Sequence, residues 1–110
     1  MKQYFVIGNP INHSLSPNIF NYIFDVKKIQ ASYSSYLANN DDVFINFINS
    51  NRKKVSGFNI TSPFKELAYN IVDEIDDSAK INKSVNCIKV SHSKLVGYNT
   101  DEYGFIEMIK

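Results

Sequence analysis

The sequence predicts an α/β protein built in three layers (α/β/α), its mostly parallel, mixed sheet gaining one antiparallel strand from a hairpin. Three observations carry that expectation. Short β-rich apolar runs alternate with stretches of helical period along the whole chain. Two strand-to-helix junctions repeat one pattern, a strand that gives way to a Ser-Pro helix start at Ser16-Pro17 and again at Ser62-Pro63. The length of 110 residues, 44% hydrophobic and 21% charged, suits one core and falls short of two.

Each element follows from local pattern. Tyr4 to Gly8 is a β-favouring run and forms the first strand. Ile19, Phe20, Ile23, Phe24 and Lys27 then recur at helical spacing, with Ser16 as N-cap and Pro17 at the first helical position. Ala31 to Leu37 alternates around Tyr33 and Tyr36 as a second strand. Asp41-Asp42 complements the positive end of the next helix, whose apolar face is Val43, Phe44, Phe47 and Ile48. Val55 to Ile60 is the third strand, and Ser62-Pro63 opens a helix with Phe64, Leu67, Ala68 and Ile71 on one side. A short turn follows over Asp76 to Ile81. Val85 to Val90 and Leu95 to Tyr98, joined by Ser91-His92-Ser93, read as the antiparallel hairpin. A last helix begins near Thr100 and meets no Gly or Pro stop before Lys110, so the chain reads as part of a longer protein.

Composition narrows the function. Twelve Lys and Arg against eleven Asp and Glu leave a net charge of +1, no electrostatic footprint for nucleic acid or an anionic membrane. The apolar run Tyr4 to Ile7 is cut by Gly8, Asn9 and Pro10, too short for a signal peptide or a membrane span. A lone Cys87 cannot form an internal disulfide, which points to a reducing, cytoplasmic setting. Neither G-x-G-x-x-G nor G-x-x-x-x-G-K-[ST] occurs, so no nucleotide-binding loop is expected. His13 and His92 lack partners at metal-ligand spacing and read as loop residues, and Cys87 on a buried strand is no nucleophile.

The chemistry-bearing residues gather at strand ends. Gly8-Asn9-Pro10-Ile11-Asn12-His13-Ser14-Leu15-Ser16-Pro17 is a hydroxyl-rich loop at the C-terminal end of a parallel strand, where open α/β sheets place ligands and helix N–H groups favour an anion. In Gly57-Phe58-Asn59-Ile60-Thr61-Ser62-Pro63-Phe64-Lys65, Lys65 falls at the third helical position, where the macrodipole disfavours a cation. Asn86 interrupts an apolar strand and must either pair with neighbouring backbone or face a ligand. Asp101 stands at a helix start that favours an acid.

These stretches, with Ser84-Val85-Asn86-Cys87, Gly97-Tyr98-Asn99-Thr100-Asp101 and Gly104-Phe105, together resemble the N-terminal substrate-binding domain of shikimate dehydrogenase over nearly the whole chain. The resemblance implies one shikimate-binding domain over residues 1–110, with the family's NADP-binding domain having no counterpart in them. It implies NADP-dependent interconversion of 3-dehydroshikimate and shikimate, a step toward chorismate and the aromatic amino acids. By it Ser14 and Ser16 hold the substrate carboxylate, Thr61 and Asn86 contact the carboxylate end and ring hydroxyls, and Lys65 and Asp101 form the catalytic pair. NADP would be bound by the complete enzyme and not by these residues. Many relatives carry His-Asn in place of Phe20-Asn21, Gly-Ala in place of Lys83-Ser84 and Thr in place of Cys87, none of them a position given a role. A quinate-accepting relative and a non-catalytic small-carboxylate module are the alternatives; Lys65 with Asp101 weighs against the second, since binding alone needs no such pair.

Overall fold

The computed structural model describes residues 2–12 and 14–100, with Gly104, Phe105 and Glu107. Among them the order of elements is β1 (Lys2–Gly8), α1 (Ser16–Val26), β2 (Ala31–Leu37), α2 (Asp41–Asn51), β3 (Gly57–Ile60), α3 (Lys65–Ile71), β4 (Glu74–Ile75), α4 (Asp77–Lys80), β5 (Cys87–Ser91) and β6 (Lys94–Tyr98). The strands form one six-stranded sheet in the order β2-β1-β3-β5-β6-β4. β1 runs parallel to β2 and β3, β5 is antiparallel to β3 and β6, and β4 is parallel to β6. Five strands therefore point one way and β5 alone the other, the mixed sheet expected from a hairpin appended to βαβ units.

Strand alternation divides the core between two faces. Along β1, Ile7 and the half-buried Phe5 join Phe44 and Ile48 of α2, Phe58 and Ile60 of β3, Ala68 of α3 and Ala79 of α4. Tyr4 and Val6 face the other way, onto Phe20 and Phe24 of α1, Tyr33, Cys87 and Phe105. Helices thus cover both faces, giving three layers. Burial pushes the Cys87 thiol up to about 12, so it stays protonated and unreactive at neutral pH. No helix among the described residues is long and apolar enough to cross a membrane.

Several local expectations are corrected. Ser16 is the first residue of α1, not its cap: Leu15 O accepts from Ile19 N at 3.1 Å, and the hydroxyl serving the helix start is Ser14, whose Oγ accepts from Ser16 N at 3.3 Å. Pro17 accordingly falls one position further in. The α1 stripe is also rotated, because Phe20 stacks on Tyr33 with ring centroids 4.8 Å apart, leaving Ile19 41% exposed and Lys27 beyond the helix end. α3 begins at Lys65 rather than at Ser62, since Thr61 to Phe64 closes a separate turn (Phe64 N to Thr61 O, 3.2 Å); Lys65 is therefore the first helical residue and not the third. Asn86 precedes β5 instead of lying within the strand, and the third strand starts at Gly57. β4 was not foreseen, because two residues carry no periodicity; it is held at the sheet edge by Asp73, whose carboxylate accepts from Leu95 N at 2.8 Å and pairs with Arg52. The hairpin turn is His92-Ser93, both in the left-handed region (φ 52° and 66°), the geometry of a two-residue hairpin connection.

Candidate functional site

Two junction loops are laced together at the C-terminal ends of β1 and β3. Thr61 N donates to Ile7 O at 2.9 Å and Asn9 N to Ser62 O at 3.1 Å, so the loop after β3 is fixed against the one after β1. The peptides Asn9–Pro10 and Ser62–Pro63 are both cis. Gly8 allows the close approach: a Cβ there would overlap Thr61 Cγ2 and come within 3.1 Å of the Ser62 carbonyl oxygen, so Thr61 would have to shift. Gly8→Ala should lower stability by about 1–3 kcal/mol through overpacking and displace Thr61, measurable by urea unfolding and by the Thr61 amide shift.

Between these loops and the segment before β5 lies an open cleft of about 560 Å³, within the usual range for a small-molecule site. Ser14, Ser16, Thr61, Lys65 and Asn86 all line it. Five of the six site residues expected from sequence therefore share one cavity. The sixth, Asp101, lies outside the described residues, as do Glu102 and His13.

The five side chains divide by what they already hold. Asn86 is half committed: its Nδ2 donates to Thr100 O at 2.8 Å and its Oδ1 accepts from Thr100 N at 2.9 Å. Its backbone is pinned as well, N to Tyr98 O at 3.0 Å and O from Ile60 N at 2.8 Å. Asn86 thus pairs with neighbouring backbone and also lines the cleft. Lys65 is anchored through its carbonyl, which accepts from Val85 N at 2.9 Å, while its ammonium has no carboxylate partner among the described residues. It is also the one charged side chain lining the cleft among them. The hydroxyls of Ser16 and Thr61 have no hydrogen-bond partner among the described residues, and Ser14, whose Oγ accepts from Ser16 N, keeps its proton to donate.

Sequence reasoning missed Asn59, Phe20 and Thr100, which also line the cleft. Asn59 sits mid-strand between buried Phe58 and Ile60, the same signal that singled out Asn86. With fourteen asparagines in the chain, that signal alone does not separate the two. The cleft as a whole offers hydroxyl protons, an amide and an ammonium, a donor-rich and locally positive surface suited to a small polyhydroxylated anion. Among the described residues no cluster of His, Cys, Asp or Glu could hold a metal ion.

Residues 6–88 match the family model described as the shikimate dehydrogenase substrate binding domain. A shikimate dehydrogenase (NADP(+)) of Vesicomyosocius okutanii is 44% identical over 110 residues, covering 97% of this chain and 40% of that protein. Its counterpart in Pelagibacter ubique is 41% identical over 94% of this chain and 39% of its own length, so this chain spans about two-fifths of such relatives. Among solved structures, the shikimate 5-dehydrogenase of Thermus thermophilus in complex with shikimate superposes with a TM-score of 0.87 at 28% identity, over 99% of this chain and 42% of that one. The Aquifex aeolicus shikimate dehydrogenase gives 0.84 at 36% identity, over 100% and 41%.

Proposed function

The chain belongs to the shikimate dehydrogenase substrate-binding domain family, and from that premise we propose that its cleft holds shikimate and 3-dehydroshikimate for their NADP-dependent interconversion. The observation that carries this reading is the gathering of Ser14, Ser16, Thr61 and Lys65, whose hydroxyl and ammonium protons are uncommitted, in one cleft with no carboxylate among its described lining residues. Ser14 and Ser16 donate to the substrate carboxylate beside the start of α1, where the helix dipole adds to the attraction. Thr61 and Asn86 meet the carboxylate end and the ring hydroxyls. At the reacting carbon Lys65 gives a proton to the oxygen as a carbonyl becomes an alcohol and takes it back in the reverse direction. Asp101 is proposed to orient both Lys65 and the substrate hydroxyl.

This chain's own residues offer no glycine-rich loop of the kind that cradles a dinucleotide pyrophosphate. Its four glycines stand apart at 8, 57, 97 and 104, and the close approach at Gly8 is occupied by Thr61 rather than left open as a pyrophosphate cradle. The dinucleotide falls to a second domain of the complete enzyme, and this domain's share of the reaction is substrate binding and proton transfer. The single buried Cys87 is consistent with work in a reducing cytoplasm.

The reading is tested on the complete two-domain enzyme carrying this domain. Ser14→Ala should raise KM for shikimate by about 10- to 100-fold with kcat little changed, because a contact far from the reacting carbon is similar in ground and transition states. Unchanged KM would remove Ser14 from the carboxylate site, and faster turnover of quinate than of shikimate would reassign the substrate.

A further inference from the structure

Tyr33 lies behind the cleft rather than in it, only 2% exposed, and its hydroxyl donates to Oδ1 of Asn59 across 2.5 Å. The Asn59 atom turned toward Tyr33 is the carbonyl oxygen, which accepts the phenol proton. The amide nitrogen is left for the cleft that Asn59 lines, where Nδ2 has no partner among the described residues.

The tyrosine itself is held from several sides. Asn21 clasps its backbone, Oδ1 accepting from Tyr33 N at 2.9 Å and Nδ2 donating to Tyr33 O at 2.8 Å. Phe20 stacks on the ring at 4.8 Å and 22°, and Phe105 meets it edge-on at 6.4 Å and 88°. A hydroxyl carried on so fixed a ring is a fixed proton donor. Without it the two ends of a carboxamide are nearly equal in shape, and the Asn59 group can turn over to present either a donor or an acceptor.

We propose that Tyr33 is a positioning residue that holds Asn59 as a hydrogen-bond donor toward the ligand, so that the site demands an acceptor oxygen at that point. The proposal rests on the substrate reading above only for the identity of the ligand. Asn86 needs no such device, since Thr100 engages both ends of its amide.

The test compares shikimate binding by this chain with that of Tyr33→Phe, Asn59→Ala and the double variant, using titration calorimetry. Tyr33→Phe, which keeps the ring packing, should weaken binding about 3- to 10-fold, and should have no further effect once Asn59 is alanine. Equal weakening in both backgrounds would mean a merely structural role and overturn the proposal, as would no weakening in the parent. A ligand-free measurement separates this from the substrate reading. The Asn59 side-chain amide should show a lower order parameter in Tyr33→Phe by ¹⁵N relaxation, whether or not shikimate binds; an amide equally ordered in both proteins would refute the role of Tyr33 by itself.

Discussion

Replacing Lys65 by alanine in the complete enzyme should lower kcat by about 10²- to 10⁴-fold while KM moves far less, the signature of a group that acts on a proton in the transition state. The position is prepared for such work. Lys65 opens α3 and its carbonyl is tied to Val85, so the base of the side chain is fixed while the ammonium remains free of any carboxylate among the described residues. A cation at the first turn of a helix is disfavoured by the dipole, and a residue selected only for surface solubility gains nothing there. Its described neighbours in the cleft carry no charge. Steady-state kinetics in both directions decide the matter. A raised KM with kcat intact would make Lys65 a binding residue only and move proton transfer to Asp101.

Phe20→Ala should destabilise the fold by about 3–5 kcal/mol, the cost typical of removing a buried aromatic and leaving its cavity. Phe20 is 2% exposed and touches three rings: stacked on Tyr33, edge-on to Phe105 at 5.0 Å and tilted against Phe24 at 6.5 Å. It also lines the cleft, so the cavity left behind opens onto it. For a domain of this size the loss corresponds to a fall in Tm of more than about 10 °C. Urea unfolding monitored by circular dichroism would measure it, and a change under about 1 kcal/mol would show that the face closed by α1 is not a packed core.

Much of the fold is legible in the sequence because each strand and helix carries its own period. Phe5 and Ile7 against Tyr4 and Val6 already separate the two faces of β1, and the tyrosines of β2 mark a strand despite three serines. What is not legible depends on partners distant in sequence. β4 exists because Asp73 reaches Leu95 and Arg52, and no local pattern announces it. The burial of Phe20 in preference to Ile19 is decided by Tyr33.

The site divides in the same way. Ser14, Thr61 and Lys65 stand out because they sit where parallel strands end and helices begin, a place that physics already reserves for ligands. Asn59 and Asn86 cannot be ranked by sequence, since both are lone amides beside apolar strand residues. Their difference comes entirely from tertiary contacts: Thr100 occupies both ends of Asn86, whereas Tyr33 takes only the oxygen of Asn59 and leaves its nitrogen to the cleft.

The most direct measurement is a ¹H–¹⁵N titration of this chain with shikimate. Amide shifts should move in one saturable process, largest at Ser14, Ser16, Thr61, Lys65 and Asn86, with the Asn59 side-chain amide following them. Affinity should be modest, because a cleft open on one side contributes less preorganisation than one closed between two domains. Shifts confined to α2 and the His92-Ser93 turn, on the far side of the sheet from Phe20 or at its other end, or no shift at millimolar shikimate, would contradict the assignment of this cleft as the substrate site.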